Sequence, residues 1–274
     1  FSDLGVCILN TANQEPISSI HDNVKKLLTD SVVGKYELSN RAVGVLLSGG
    51  FDSSIILSIL IKYKFSKGDK TPVHVFTIGD DDNSDVVLAT SHVASLEEHY
   101  KIDIHHHVIN IRDFNLVRDE LPKIVGYLET YDATTIEKSI PMLFLLKYIA
   151  TQTDVKILLT GEGLDELCGY DEFINLDDVE FQKSSIRLLE NISKYDLLRC
   201  DKLAGSFGLE LRHPYLDVAF VEYILSIHPK LKRAQMSGYS SKPIEKYIIR
   251  KSFDNNEESD SDFYMKSDIL WCNR

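Results

Sequence analysis

Residues 43–54 read VGVLLSGGFDSS. This stretch limits the fold more than any other. Residues 43–47 are an unbroken apolar run, which suits a strand buried on both faces of a parallel sheet. Ser48, Gly49 and Gly50 follow as a turn, and glycine lets backbone N–H groups approach an anion closely. Asp52, Ser53 and Ser54 are N-cap residue types, and residues 55–63 continue as an apolar, helix-compatible run. Strand, glycine turn and helix start together form an anion site at a helix N-terminus.

The stretch is not a Walker A loop, because the spacing and the lysine are missing, and it lacks the G-x-G-x-x-G of dinucleotide folds. The pattern S-G-G-x-D-S resembles the pyrophosphate-binding loop of enzymes that split ATP between its α- and β-phosphates. The plain alternative is an ordinary strand-to-helix turn.

The 274 residues suffice for one large α/β domain or two small ones, and a 43% hydrophobic content supports a substantial core. A net charge of −12 argues against duplex nucleic acid as a partner. No apolar run reaches the roughly 18 residues of a membrane span, and no signal peptide is visible. Cys7, Cys168, Cys200 and Cys272 form no C-x-x-C pair and read as reduced thiols of a cytoplasmic protein. The start at Phe1 reads as a fragment or a processed form.

Residues 1–16 carry little information. Residues 17–33 have helical apolar spacing. Residues 73–78 predict a second strand, 79–85 an acidic loop, 86–100 a helix and 102–109 a third strand. His105, His106 and His107 lie on that strand. Only His105 and His107 share a face, so a polar sheet end is the stronger reading and a metal site the weaker. Helices are predicted over 114–128 and 139–150, with a polar connection over 129–138. Residues 155–159 predict a fourth strand that runs into TGEGLDE, residues 160–166. Strands alternating with helices predict a parallel sheet with ligands at the carboxyl ends of its strands, so the two glycine turns should converge. Beyond residue 181 the pattern is helical, over 182–203, 218–227 and 243–253. Residues 254–262 (DNNEESDSD) read as a loose acidic loop.

The blocks VLLSGGFDSS, ETYDATTI, LLTGEGLDELCGY, GLELRHPYLD and KPIEKYIIRKSF, in this order, resemble the synthetase domain of asparagine synthetases. The likeness runs from about residue 22 to 253. It implies an α/β fold with a doubly wound parallel sheet, adenine nucleotide α-hydrolase-like, and a helical C-terminal part. Three segments follow from it. Residues 1–20 form a lead segment, a remnant or linker from a glutaminase half. Residues 21–253 form the ATP-binding domain, and 254–274 an acidic loop and divergent tail.

The resemblance also implies a reaction. The β-carboxylate of aspartate attacks the α-phosphate of ATP, giving β-aspartyl-AMP and pyrophosphate. Ammonia, free or derived from glutamine, then displaces AMP. Backbone N–H groups of Gly49 and Gly50 with Ser48, Ser53 and Ser54 would hold pyrophosphate. Asp52 and Asp165 would hold Mg²⁺. Leu47 and Ile78 would flank adenosine, with simple core packing an equal reading, and Thr160 and Gly161 would contact it. Glu162 would assist acyl-adenylate formation and the ammonia step. Glu166 reads as a ligand or as a helix N-terminal carboxylate. Thr134, Thr135, Arg212 and Lys246 are weaker pocket candidates. Arg212 reads more as a wall residue paired with Asp217 or a neighbouring carboxylate. Lys242, Lys246 and Arg250 would share a helix face. The implied partners are small molecules together with a glutaminase half or a second copy.

Three departures from the family pattern stand out. The usual T-T-I-R reads Thr134-Thr135-Ile136-Glu137, and Glu137 would repel a dicarboxylate, with the adjacent Lys138 pointing elsewhere. The turn Cys168-Gly169-Tyr170 is one residue short. In the tail only Lys266 stands near the expected pyrophosphate lysine. Cys7 also lacks the context of a glutaminase nucleophile. These departures keep two other readings open, a domain that binds nucleotide or a partner without turnover and a related ligase, such as a β-lactam-closing enzyme, with a different carboxylate.

Overall fold

The computed structural model describes residues 15–39, 41–111, 114–170, 173, 175–236, 243–254 and 263–271. Cys7, Cys272, Lys242, the acidic loop beyond Asp254 and most of the lead segment lie outside the described residues.

Five parallel strands form one sheet: β1 (Val43–Leu46), β2 (Val73–Ile78), β3 (Ile104–Ile109), β4 (Ile157–Leu159) and β5 (Glu210–Arg212). Their order is β3-β2-β1-β4-β5. The chain moves outward from β1 to β3, then returns to the other side of β1 for β4 and β5. The switch point therefore lies between β1 and β4, where a crevice opens beyond the strand carboxyl ends. Register pairs Val45 with Val75 on one side and with Leu159 on the other.

Helices cover both faces. Helices α1 (Ile17–Glu37), α2 (Phe51–Ser66) and α3 (Ser84–Tyr100) pack on one face. Helices α4 (Phe114–Leu128) and α5 (Ala133–Gln152) pack on the other. The apolar core is accordingly split in two, one cluster around Val45, Ile55 and Leu159 and a second around Phe76, Leu143 and Leu158. Val43 and Val45 face one cluster while Phe76 and Leu158 face the other, so the continuous apolar strands are the sequence record of a sheet covered twice.

Several expected boundaries move. Helix α2 begins at Phe51 with Gly50 as N-cap, so Asp52, Ser53 and Ser54 form its first turn instead of capping it. Helix α5 starts at Ala133, inside the expected polar connection, because the Asp132 side chain accepts the Thr135 N–H at 2.8 Å. The expected helix over 182–203 is two helices, α7 (Asp178–Asn191) and α8 (Asp196–Ser206), broken by a 3₁₀ turn, with the short α6 (Leu164–Cys168) preceding them. Strand β5 was not expected, since three residues are too few to show a period. The remaining helices are α9 (Val218–Ser226), α10 (Pro229–Lys232), α11 (Tyr247–Ser252) and α12 (Ser267–Leu270). Helix α11 is shorter than expected, and Lys246 lies just outside it with left-handed backbone, φ 56°. Lys246 and Arg250 therefore do not form a helical pair. The tail is joined to the core, because Phe263, Met265 and Trp271 are buried and Arg250 donates to the carbonyls of Ile269 and Leu270. Among the described residues, no helix is long and apolar enough to cross a membrane.

Candidate active site

The carboxyl ends of β1 and β4 deliver the two glycine turns to the crevice. Leu47 is pinned there by its N–H to the Phe76 carbonyl at 2.8 Å and by the Thr77 hydroxyl to its own carbonyl at 2.8 Å. Gly49 has φ 78°, and a Cβ there would stand 2.1 Å from the Asp85 carbonyl oxygen. Only glycine permits that approach. Ser53 Oγ accepts the Ser48 N–H at 3.0 Å and meets Ser48 Oγ at 3.0 Å, which closes the loop over the start of α2. Ser54 differs from its neighbours, being fully buried with its hydroxyl unpartnered and absent from the walls of the adjoining cavities. The buried Tyr215 hydroxyl donates to the Asp52 carbonyl at 2.8 Å and anchors the same turn.

Thr160 continues β4. Its N–H donates to the Arg212 carbonyl at 3.0 Å, and its hydroxyl lies 2.7 Å from His213 Nδ1. Burial lowers His213 to about 4, so at neutral pH it is an uncharged partner for that hydroxyl. Arg212 itself does not reach the cleft. Its guanidinium meets Glu210 at 2.7 Å and the Lys35 carbonyl, while Lys35 is the residue that pairs with Asp217, at 3.0 Å.

Two cavities of about 640 Å³ each adjoin at this end of the sheet. The inner one is lined by Leu47, Ile78, Ser48, Ser53, Thr160 and Gly161 among others, with Asp52, Glu162 and Asp165 also on its wall. The outer one is lined by Thr134, Thr135, Arg187 and Tyr195 among others. Lys138, Glu166, Tyr170 and Asp196 line both, so the two form a continuous cleft. Gly49, Gly50, Lys246 and Arg250 border a further cavity of about 150 Å³ on the far side of Asp52.

Lys246 Nζ lies 2.6 Å from Asp52 Oδ2 and 2.6 Å from Asp165 Oδ1. Burial works against its charge, yet the two aspartates hold the ammonium well above its ordinary value. Burial pushes the Asp52 carboxyl up, with Lys246 pulling the other way. Asp52 Oδ1 is buried without a hydrogen-bond partner. Two carboxylates that already converge on one cation, one of them with an orphaned oxygen, fit a hard divalent ion.

Across the cleft, Glu162 Oε1 accepts from Arg199 at 2.9 Å, and Arg199 also reaches Asp196 at 3.2 Å. Burial raises Glu162 and Arg199 lowers it, with burial prevailing. Arg199 went unnoticed in the sequence. The signal was available, since it precedes Cys200 and Leu203 on the buried face of α8, where a charge needs partners. Glu166 sits in the first turn of α6 and accepts from Tyr170 at 3.0 Å.

Two sequence expectations resolve differently and a third holds. Glu137 is exposed and absent from both cavity walls, whereas Lys138 lines both. The two do point apart, but it is the lysine that faces the cleft. Lys266 reaches Ser91 on α3 and is not on the walls of the cleft. The histidines alternate as expected: His106 meets Thr77 at 2.9 Å, while His107 stands between His74 at 3.1 Å and Tyr148 at 3.2 Å. Among the described residues no group of three or more His, Cys, Asp or Glu side chains forms a metal cage. Cys168 and Cys200 are buried free thiols.

The family model for asparagine synthase matches residues 23–180 and 174–258. The chain belongs to the asparagine synthase family. It is 34% identical over 277 residues to the glutamine-hydrolyzing asparagine synthetase of Pongo abelii, covering 94% of this chain and 46% of that protein. The human counterpart is 34% identical over 276 residues, with 93% and 45% covered. A probable asparagine synthetase of Acanthamoeba polyphaga mimivirus is 36% identical over 239 residues, with 86% and 40% covered. The chain thus spans about half the length of the curated relatives it matches.

Proposed function

We propose that this chain is the synthetase unit of an ATP-dependent amide-forming ligase that makes asparagine from aspartate. The observation that carries the reading is the meeting of the two acidic glycine turns at the switch point, where Asp52 and Asp165 converge on one cation beside a cleft edged by Glu162.

In this reading Leu47 and Ile78 bracket the adenine, with Thr160 and Gly161 at its edge. The N–H groups of Gly49 and Gly50 and the hydroxyls of Ser48 and Ser53 receive the departing pyrophosphate, aided by Lys246. Mg²⁺, when bound by Asp52 and Asp165, would neutralise phosphate charge. The β-carboxylate of aspartate displaces pyrophosphate from the α-phosphorus, and the acyl-adenylate then loses AMP to ammonia. Glu162 takes the proton that ammonia releases, a role supported by its position on the cleft wall, and Arg199 holds its carboxylate. The nitrogen arrives as free ammonia, or from glutamine through a glutaminase half as the glutamine-hydrolyzing relatives suggest.

Pyrophosphate release from ATP and Mg²⁺, with aspartate and ammonium, tests the reading against an Asp52→Ala control. Release that requires aspartate and is lost in the control is the expected result. ATP binding with no release for any carboxylate would overturn it.

A further inference from the structure

The acceptor in this reaction carries a second carboxylate that the chemistry does not consume, and the walls of the cleft are rich in acid. Glu162, Asp165, Glu166 and Asp196 all line the inner cavity. A dicarboxylic substrate needs a cation there that is not already committed. Arg199 is held by Glu162 and Asp196, and Lys246 by Asp52 and Asp165. Arg187 lines only the outer cavity.

Lys138 stands apart from these. It lines both cavities, at the seam between them. Its contact with Asp196 is 3.7 Å, and its side chain is 58% exposed. A long pair of this kind is weak and readily re-aimed. Its helical phase is also right. On α5, Thr134, Lys138, Pro141, Met142 and Leu145 fall at i, i+4, i+7, i+8 and i+11 and line the cleft together. Lys138 is near the middle of that face, and Glu137 is turned away from it.

Resting on the ligase reading above, we infer that Lys138 binds the non-reacting carboxylate of a dicarboxylic amino acid. It thereby sets the substrate class from the position next to the one where the family motif places arginine.

The test compares aspartate with β-alanine, which keeps the reacting carboxylate and the amine but lacks the α-carboxylate. With Mg²⁺ and α,β-methylene-ATP present, aspartate should slow acetylation of Lys138 by acetic anhydride, read by peptide mass spectrometry, and β-alanine should not. In pyrophosphate release, Lys138→Ala should raise the KM for aspartate about 10- to 100-fold, the range for loss of a charge-assisted hydrogen bond. The β-alanine kinetics should not change. Lys138→Arg should recover most of the loss, and Glu137→Ala should behave as the parent. Equal protection by both compounds, no protection by aspartate, or an unchanged aspartate KM in Lys138→Ala would overturn the inference. Protection by aspartate without pyrophosphate release would sink the ligase reading and leave the subsite standing. Aspartate-dependent release that ignores Lys138 would do the reverse.

Discussion

A methyl group built on Gly161 would lie 3.0 Å from the backbone nitrogen of Ser53. The turn after β4 is therefore packed directly on the first turn of α2, and the same methyl would lie 3.2 Å from Asp52 Cβ. Both neighbours belong to the backbone or its first side-chain atom, so neither can swing aside. Gly161→Ala should push the two acidic turns apart. We expect pyrophosphate release to fall, by less than the roughly 100-fold of a 1 Å misplacement, because a shift of a few tenths of an ångström relieves the contact. A variant with parental kinetics would show that the turns do not need this contact.

Lys246 joins two carboxylates that would otherwise repel one another. Lys246→Met should destabilise the fold by about 3 kcal/mol, the lower end for breaking a buried pair, because Asp165 is partly open to solvent. Urea denaturation checks the value. Added Mg²⁺ should restore part of the loss, since the two freed carboxylates suit that ion. Unchanged stability would mean that the lysine does not bridge them in solution.

Arg199 opposes the effect of burial on Glu162. Burial raises the carboxyl and Arg199 lowers it, so removing the guanidinium should raise it further. A base must be ionised to act, so the acidic limb of the pH–rate profile should move to higher pH in Arg199→Met. A fall in rate at every pH with no displacement of that limb would show that Arg199 has only a structural role.

Acid should unfold the protein partly through two histidines. Burial lowers both His92 and His213 to about 4. In the unfolded chain each binds its proton near 6.5, so between about 6.5 and 4 the unfolded state holds more protons and stability drops as pH falls. The stability that each contributes is fully present above 6.5 and is lost toward 4, at most about 3 kcal/mol per residue. Denaturation at a series of pH values should show a shallower slope in His213→Val than in the parent. Parallel curves would remove His213 from the account.

Much of the framework could be read from the residues alone. The apolar runs at β1, β2 and β4 betrayed strands buried on both faces, and the glycines after β1 and β4 marked where the chain must turn tightly. Local signals of this kind survive because burial on two faces and positive φ restrict residue choice wherever they occur. The start of α5 was also written locally, in Asp132 three residues before Thr135, although the surrounding polar residues masked it. Other features depend on partners distant in sequence. Nothing near Lys246 announces that it bridges Asp52 and Asp165, and nothing near Arg199 announces Glu162. Strand β5 is too short to carry a period and exists because β4 offers it an edge. The contrast between Glu137 and Lys138 is the clearest case. The motif draws attention to residue 137, but the cleft is defined by which face of α5 the sheet and α8 leave open. The sequence determined the kinds of element and the chemistry they carry. Only the tertiary structure decided which charges meet, because ion pairing is set by distance in space and by shared burial rather than by position along the chain.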